Sequence, residues 1–271
     1  MSFSEPWTRP RVTQAQWAER ILPAATIRKP PGAGPFPLVI QLHGCGGVRP
    51  MQNAYADRAL KCGYAVMIVD SFKPRGLSRL EAQLTVCTGL ALHGAERAAD
   101  PIALFDWARR QPWIDRNRIV LSGWSHGGWT IMDALAMADT ASKYTGLTDL
   151  PPRPLAGLAG ALLIYPYAAF PAMTRQRGWR DADLPVYALL AGHDQVAGTR
   201  YPPAALDRLQ RDGLKVNRLV FPDATHAFDD ESASDPRAVY RPDLLAQALD
   251  WYGQALSEIV RPRGGLGGLF S

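Results

Sequence analysis

Short unbroken apolar runs alternate with longer stretches of helical period along this chain. The runs are Leu38–Leu42, Ala65–Val69, Arg118–Leu121, Ala161–Ile164, Val186–Leu190 and Val216–Phe221. Most are continuous rather than alternating in polarity, as strands covered on both faces must be. Helices are predicted at Asn53–Cys62, Ala95–Arg110, Gly127–Ala138, Ala204–Asp212 and Pro242–Ile259. In the last of these, Leu245, Leu249, Tyr252, Leu256 and Ile259 recur at three- and four-residue spacing. An earlier strand, Ala24–Arg28, ends at the turn signal Lys29-Pro30-Pro31-Gly32. This alternation predicts an α/β fold, a mostly parallel sheet of about seven to eight strands with helices on both faces.

Two stretches read as loops, Asp139–Pro154 and Pro166–Pro185, and neither is long enough for a separate lid domain. The expectation is one domain over residues 1–271, with 1–23 an N-terminal extension and 262–271 a flexible Gly-rich tail. A length of 271 residues with 47% hydrophobic content suits a single core. The polar stretch Met1–Gln16 has no apolar h-region, and no apolar run approaches the ~20 residues of a membrane span. The expected location is therefore cytoplasmic, without a membrane partner.

The formal charge of +5 does not change this picture. Its arginines are spread along the chain with no block of five, so they read as solvated surface rather than a nucleic-acid footprint. Cys45, Cys62 and Cys87 show no metal-binding spacing. Three thiols are the default for a cytoplasmic protein, and a Cys45–Cys87 bridge is the open alternative because both lie near one sheet edge.

The chemistry concentrates in three places. Gly123-Trp124-Ser125-His126-Gly127 is a Gly-x-Ser-x-Gly sequence between a strand and a helix, the setting of a nucleophile elbow. Ser125 is the candidate nucleophile, on a sharp turn where any side chain at Gly123 or Gly127 would collide with neighbouring backbone. His226 follows the last strand, in Phe221-Pro222-Asp223-Ala224-Thr225-His226-Ala227-Phe228. Loops at strand carboxyl ends share one rim of a parallel sheet, so His226 and Ser125 should meet there. Asp194 ends the preceding strand and is the candidate orienting acid; Asp181 and Asp183 lie in a loop before that strand, and Asp207 lies on a helix. An acyl transfer also needs oxyanion donors. The candidates are the backbone amides of His126 and Cys45, with Gly44 as the alternative, from Gln41-Leu42-His43-Gly44-Cys45-Gly46-Gly47.

These motifs, together with Val69-Asp70-Ser71-Phe72-Lys73-Pro74-Arg75-Gly76, resemble the dienelactone hydrolase family of the α/β-hydrolase superfamily. The likeness runs from about residue 36 to 255. It implies the α/β-hydrolase fold without a large lid, no metal and no organic cofactor. Members of that family carry cysteine at the elbow, whereas this chain has Ser125, whose alkoxide forms only as a base removes its proton. Family substrates carry a carboxylate bound by arginine, and by that resemblance Arg75 is the candidate here, with a structural salt bridge the open alternative. Trp124, beside the nucleophile, is a second candidate for substrate contact.

The expected activity is hydrolysis of a small carboxylic ester or lactone, with a carboxylate on the substrate if Arg75 serves it. A peptidase or amidase would use the same three residues, and specificity between them lives in pocket loops. A binding protein on a hydrolase fold is disfavoured because all three positions hold competent side chains. The lack of a leader disfavours a secreted polymer-degrading esterase.

Overall fold

The computed structural model describes residues 11–137, 140–179 and 183–260. Seven strands make one sheet: β1 (Ala25–Arg28), β2 (Phe36–Leu42), β3 (Ala65–Val69), β4 (Ile114–Trp124), β5 (Gly160–Ile164), β6 (Val186–His193) and β7 (Val216–Thr225). Their spatial order is β1-β3-β2-β4-β5-β6-β7. Only β1 runs antiparallel, on β3; every other pairing is parallel. Parallel neighbours need long crossovers, and among the described residues α-helices supply all but the one from β5 to β6.

Those helices are α1 (Gln14–Ile21), α2 (Met51–Lys61), α3 (Arg79–Thr85), α4 (Gly94–Arg97), α5 (Ala99–Arg109), α6 (His126–Met137), α7 (Ala141–Thr145), α8 (Tyr201–Arg211) and α9 (Pro242–Val260). Alternate residues of β2 separate the two cores. Leu38, Ile40 and Leu42 pack with α1, α5, α6 and α8, while Val39 packs with Tyr55 of α2 and Tyr252 of α9. Both faces are thereby sealed, which is why the strands read as unbroken apolar runs.

The predicted helix Ala95–Arg110 is in fact two, α4 and α5, divided at Ala98. Pro101 explains the break: it has no amide proton, and its ring would collide with the carbonyl of Arg97 in a continuous helix. Part of the expected N-terminal extension is integral. Thr13 and Gln16 form a capping box at the start of α1, and Trp17 and Ile21 are buried in the core. The stretch expected as loop after residue 138 contains α7, which ends at Gly146 in the left-handed conformation. A further helix, α3, was not predicted, although Ser78 and Glu81 cap it reciprocally. The expected tail at 262–271 lies outside the described residues. Among those residues, no helix is long and apolar enough to cross a membrane.

Candidate active site

The sheet delivers Ser125, Asp194 and His226 to one rim, just beyond the carboxyl ends of β4, β6 and β7. His226 Nε2 lies 2.8 Å from Ser125 Oγ, and His226 Nδ1 lies 2.8 Å from Asp194 Oδ2. The other carboxylate oxygen of Asp194 accepts the backbone amides of Val196 at 2.9 Å and Ala197 at 2.7 Å. The carboxylate is thus aimed by its own loop. Gln195 Oε1 accepts the backbone amide of His226 at 2.9 Å, tying the acid loop to the imidazole loop. All three side chains are buried, with Ser125 and His226 each 7% exposed.

The elbow is built by near-contacts that only glycine permits. A Cβ on Gly123 would lie 2.4 Å from the Gly127 carbonyl carbon, and one on Gly127 would lie 2.1 Å from the Leu42 oxygen. Ser125 sits at φ +51°, and Tyr165 and Ala227 on the same rim sit at +35° and +56°. Left-handed backbone in side-chain-bearing residues is strained and concentrates at functional sites. The Ser125 amide donates to Ile164 O at 2.9 Å, which pins the turn to β5.

Tyr165 supports the imidazole from the side, its ring edge-on to His226 with centroids 4.7 Å apart. Its hydroxyl donates to Asp229 at 2.6 Å, and Tyr55 donates to the other oxygen of the same carboxylate at 2.8 Å. Burial, reinforced by the Asp229 charge, pushes both phenols well above their usual range and keeps them as donors. Burial also raises the Asp229 carboxyl, against the two hydrogen bonds that lower it.

The segment after β2 faces the nucleophile closely: a Cβ on Gly44 would stand 3.5 Å from Ser125 Cβ. Cys45 is bonded to Cys87, 42 residues away, so the open alternative among the cysteines is realised as a disulfide while Cys62 is free. Arg49 joins this segment to the loop after His226, with its Nε donating to Asp230 at 2.9 Å and its Nη2 to Ser232 O. His126 opens α6, whose first-turn amides have no intrahelical acceptors.

A cleft of about 610 Å³ opens over Ser125 and His226, bounded by Gly44, Cys45, Cys87 and the loop carrying Asp235 and Arg237. Its two arginines each face a carboxylate. Arg49 meets Asp230, and Arg237 meets Asp235 at 2.9 Å.

Of the two expected substrate contacts, Arg75 lies away from the cleft and Trp124 lies at its edge. Arg75 is turned away from the cleft into a buried pair with Asp100, with side chains 8% and 0% exposed. Asp100 is on α5, 25 residues on, and it takes both arms of the guanidinium. Trp124 borders the cleft but is 1% exposed, its ring packed on Tyr55 with centroids 5.0 Å apart. It serves the core. Sequence reasoning also missed Arg97, a fully buried cation beneath the elbow that touches both His43 and His126. Among the described residues, no cluster of histidine, cysteine or carboxylate side chains could hold a metal ion.

Comparison with known proteins agrees with this architecture. A family model described as the dienelactone hydrolase family matches residues 24–256. A dienelactone hydrolase-like promiscuous phosphotriesterase from metagenomic libraries superposes with a TM-score of 0.64 at 18% identity, over 87% of this chain and 99% of that one. Esterase 2 of Thermogutta terrifontis, solved phosphonylated by cyclosarin, gives a TM-score of 0.60 at 15% identity, over 89% and 90% of the two chains. At such identities the likeness is one of fold. An uncharacterized 31.7 kDa Escherichia coli protein from the traX-finO intergenic region is 31% identical over 127 residues. That match spans 46% of this chain and only 41% of the relative.

Proposed function

This chain belongs to the dienelactone hydrolase family of α/β-hydrolases, and from that premise we propose that it is a serine hydrolase cleaving a small carboxylic ester or lactone through an acyl-enzyme. The observation that carries the reading is the continuous chain of two 2.8 Å hydrogen bonds from Ser125 through His226 to Asp194. Ser125 Oγ attacks the carbonyl carbon while His226 Nε2 takes its proton. Asp194 holds the imidazole in the tautomer that leaves Nε2 free to accept and stabilises the imidazolium that forms. The amides of Cys45 and His126 receive the oxyanion; such a donor is commonly worth about 10²–10³ in rate. His226 then protonates the departing alcohol, and afterwards activates the water that releases the acid.

The cleft favours an uncharged substrate. With Arg49 and Arg237 opposed by Asp230 and Asp235, the lining offers no cation in excess for a substrate carboxylate among the described residues. The substrate is a compact neutral ester or lactone, and neither nucleic acid nor membrane enters the reaction.

The test is intact mass after exposure to a small fluorophosphonate, paired with turnover of short-chain esters and lactones. One adduct on wild type, absent from Ser125→Ala together with turnover, is the expected result. A folded wild type with neither adduct nor turnover would overturn the reading.

A further inference from the structure

Beneath the elbow, one guanidinium touches both segments that carry the candidate oxyanion amides. Arg97 ends α4 and is fully buried. Its Nη1 donates to the carbonyl of His43 at 2.8 Å and to His126 Nδ1 at 3.0 Å, while its Nε donates to Ser71 Oγ at 2.9 Å. We propose that Arg97 is a positioning residue of the oxyanion hole, clamping the His43–Cys45 and Ser125–His126 segments in register and setting a fixed positive charge behind them. The proposal rests on the reading of Ser125 as an acyl-transfer nucleophile.

The protons around Arg97 can be assigned from donor chemistry alone. Arginine only donates, so His126 Nδ1 must accept, and the ring proton sits on Nε2, which donates to Leu92 O at 2.8 Å. The Ser71 amide likewise donates to His43 Nε2 at 3.1 Å, so the His43 proton is on Nδ1 and goes to Gly44 O at 2.6 Å. Both imidazoles are held well below their usual pKa, by burial first and the Arg97 charge second. They remain neutral, and each is fixed at both nitrogens.

That network sets the direction of the amides. Arg97 holds the carbonyl of His43, and His43 with the Gly47 amide at 3.2 Å holds the carbonyl of Gly44. In a trans peptide the N–H lies opposite the C=O, so fixing Gly44 O turns the Cys45 amide the other way, on the side where Cys45 borders the cleft. Across the gap, locking the His126 ring locks the first residue of α6. A slip of either segment would misalign one donor with the developing oxyanion, and Arg97 hydrogen-bonds to both.

Its charge has the right sign for the same task. Burial lowers the guanidinium to about 9, still cationic at neutral pH. The carboxylate that acts on it most is Asp100, which already carries Arg75. Asp70 acts on it as well, and the guanidinium sets its positive charge behind the segments where an oxyanion forms, in a low-dielectric site. Burying such a cation is costly, and an apolar side chain would fill the space more cheaply.

The experiment compares wild type with Arg97→Lys, Arg97→Met and Ser71→Ala. It reads kcat and KM on a short-chain ester, affinity for an alkyl boronic acid that forms an anionic tetrahedral adduct on Ser125, and folding by circular dichroism. For Arg97→Lys we expect kcat to fall about 10²-fold with KM within about twofold, and boronate affinity to fall in step with kcat. Arg97→Met should lose more. Should both arginine variants fail to fold, Ser71→Ala decides: it keeps the charge, frees Nε, and should lower kcat and boronate affinity together by about three- to tenfold. A folded Arg97 variant with near-wild-type kcat, or one that loses activity only through KM with boronate affinity intact, overturns the proposal. So does an unchanged Ser71→Ala where the arginine variants do not fold. Ser125→Ala separates the two levels. If it retains full turnover, the serine-hydrolase reading itself fails; if it is dead while Arg97→Lys is unimpaired, only the role of Arg97 fails.

Discussion

Arg75 grips Asp100 through two hydrogen bonds of 2.9 and 2.7 Å, and Trp17 closes over the pair. The indole Nε1 donates to Asp100 at 2.9 Å, and the guanidinium lies 4.9 Å from the Trp17 ring centroid. The pair joins α1 and α5 to the segment after β3, so it is a structural anchor. Removing one member leaves a buried charge without its partner. Arg75→Met should therefore cost about 3–5 kcal/mol of stability in chemical denaturation. The ratio of kcat/KM for carboxylate-bearing to neutral esters should stay unchanged, and a selective loss on the carboxylate-bearing ester would return Arg75 to the substrate.

Asp194→Asn offers a sharper test of the orienting acid. The amide oxygen of asparagine can still accept the Val196 and Ala197 amides, so the loop should keep its shape. Its NH₂ group, however, would face His226 Nδ1 and force the proton onto Nε2, where it cannot serve as a base toward Ser125. We expect kcat to fall about 10⁴-fold with the circular dichroism spectrum retained. A variant within tenfold of wild type would show that another group orients the imidazole.

The buried neutral imidazole of His126 links stability to acidity. Its folded pKa is depressed, so between that value and about 6.5 the unfolded chain binds a proton that the native state does not. Stability therefore falls as pH drops below about 6.5, by up to about 1.4 kcal/mol per pH unit from this residue. His126→Gln removes that contribution while other titrating groups stay in place. Urea midpoints measured from pH 7 to 5 should show a flatter decline in the variant; parallel curves would mean the imidazole is not held neutral.

The Cys45–Cys87 disulfide ties the segment facing Ser125 to the end of the α3 region. Closing a loop of this length is worth about 3–4 kcal/mol in the chain-entropy account. Reduction, or Cys87→Ser, should lower the denaturation midpoint and also kcat, because the Cys45 amide is freed to wander. Cys62→Ser is the control and should leave kcat near wild type. Equal kcat for oxidised and reduced protein would separate the disulfide from catalysis.

How much of this was legible in the chain depends on how local each signal is. The strands were readable because both faces of the sheet are covered, and the candidate site because Ser125, Asp194 and His226 each follow such a run. Capping at Ser78 and Glu81 was present in the sequence, but α3 has seven residues and too little periodicity to stand out. Arg75 and Arg97 could not be sorted by sequence. One meets Asp100 and the other meets His43 and His126, contacts made by folding across 25 to 54 positions. A buried arginine looks like any surface arginine until its partners are in place.

The left-handed backbone at Ser125, Tyr165 and Ala227 concentrates strain on the rim. Ser125 and Tyr165 follow strands whose interiors are buried, so the sheet acts as a rigid frame and the rim as a skin stretched across it. Such a surface slackens before its frame gives way. Activity should then disappear at denaturant concentrations where far-ultraviolet circular dichroism is still native, and return at once on dilution.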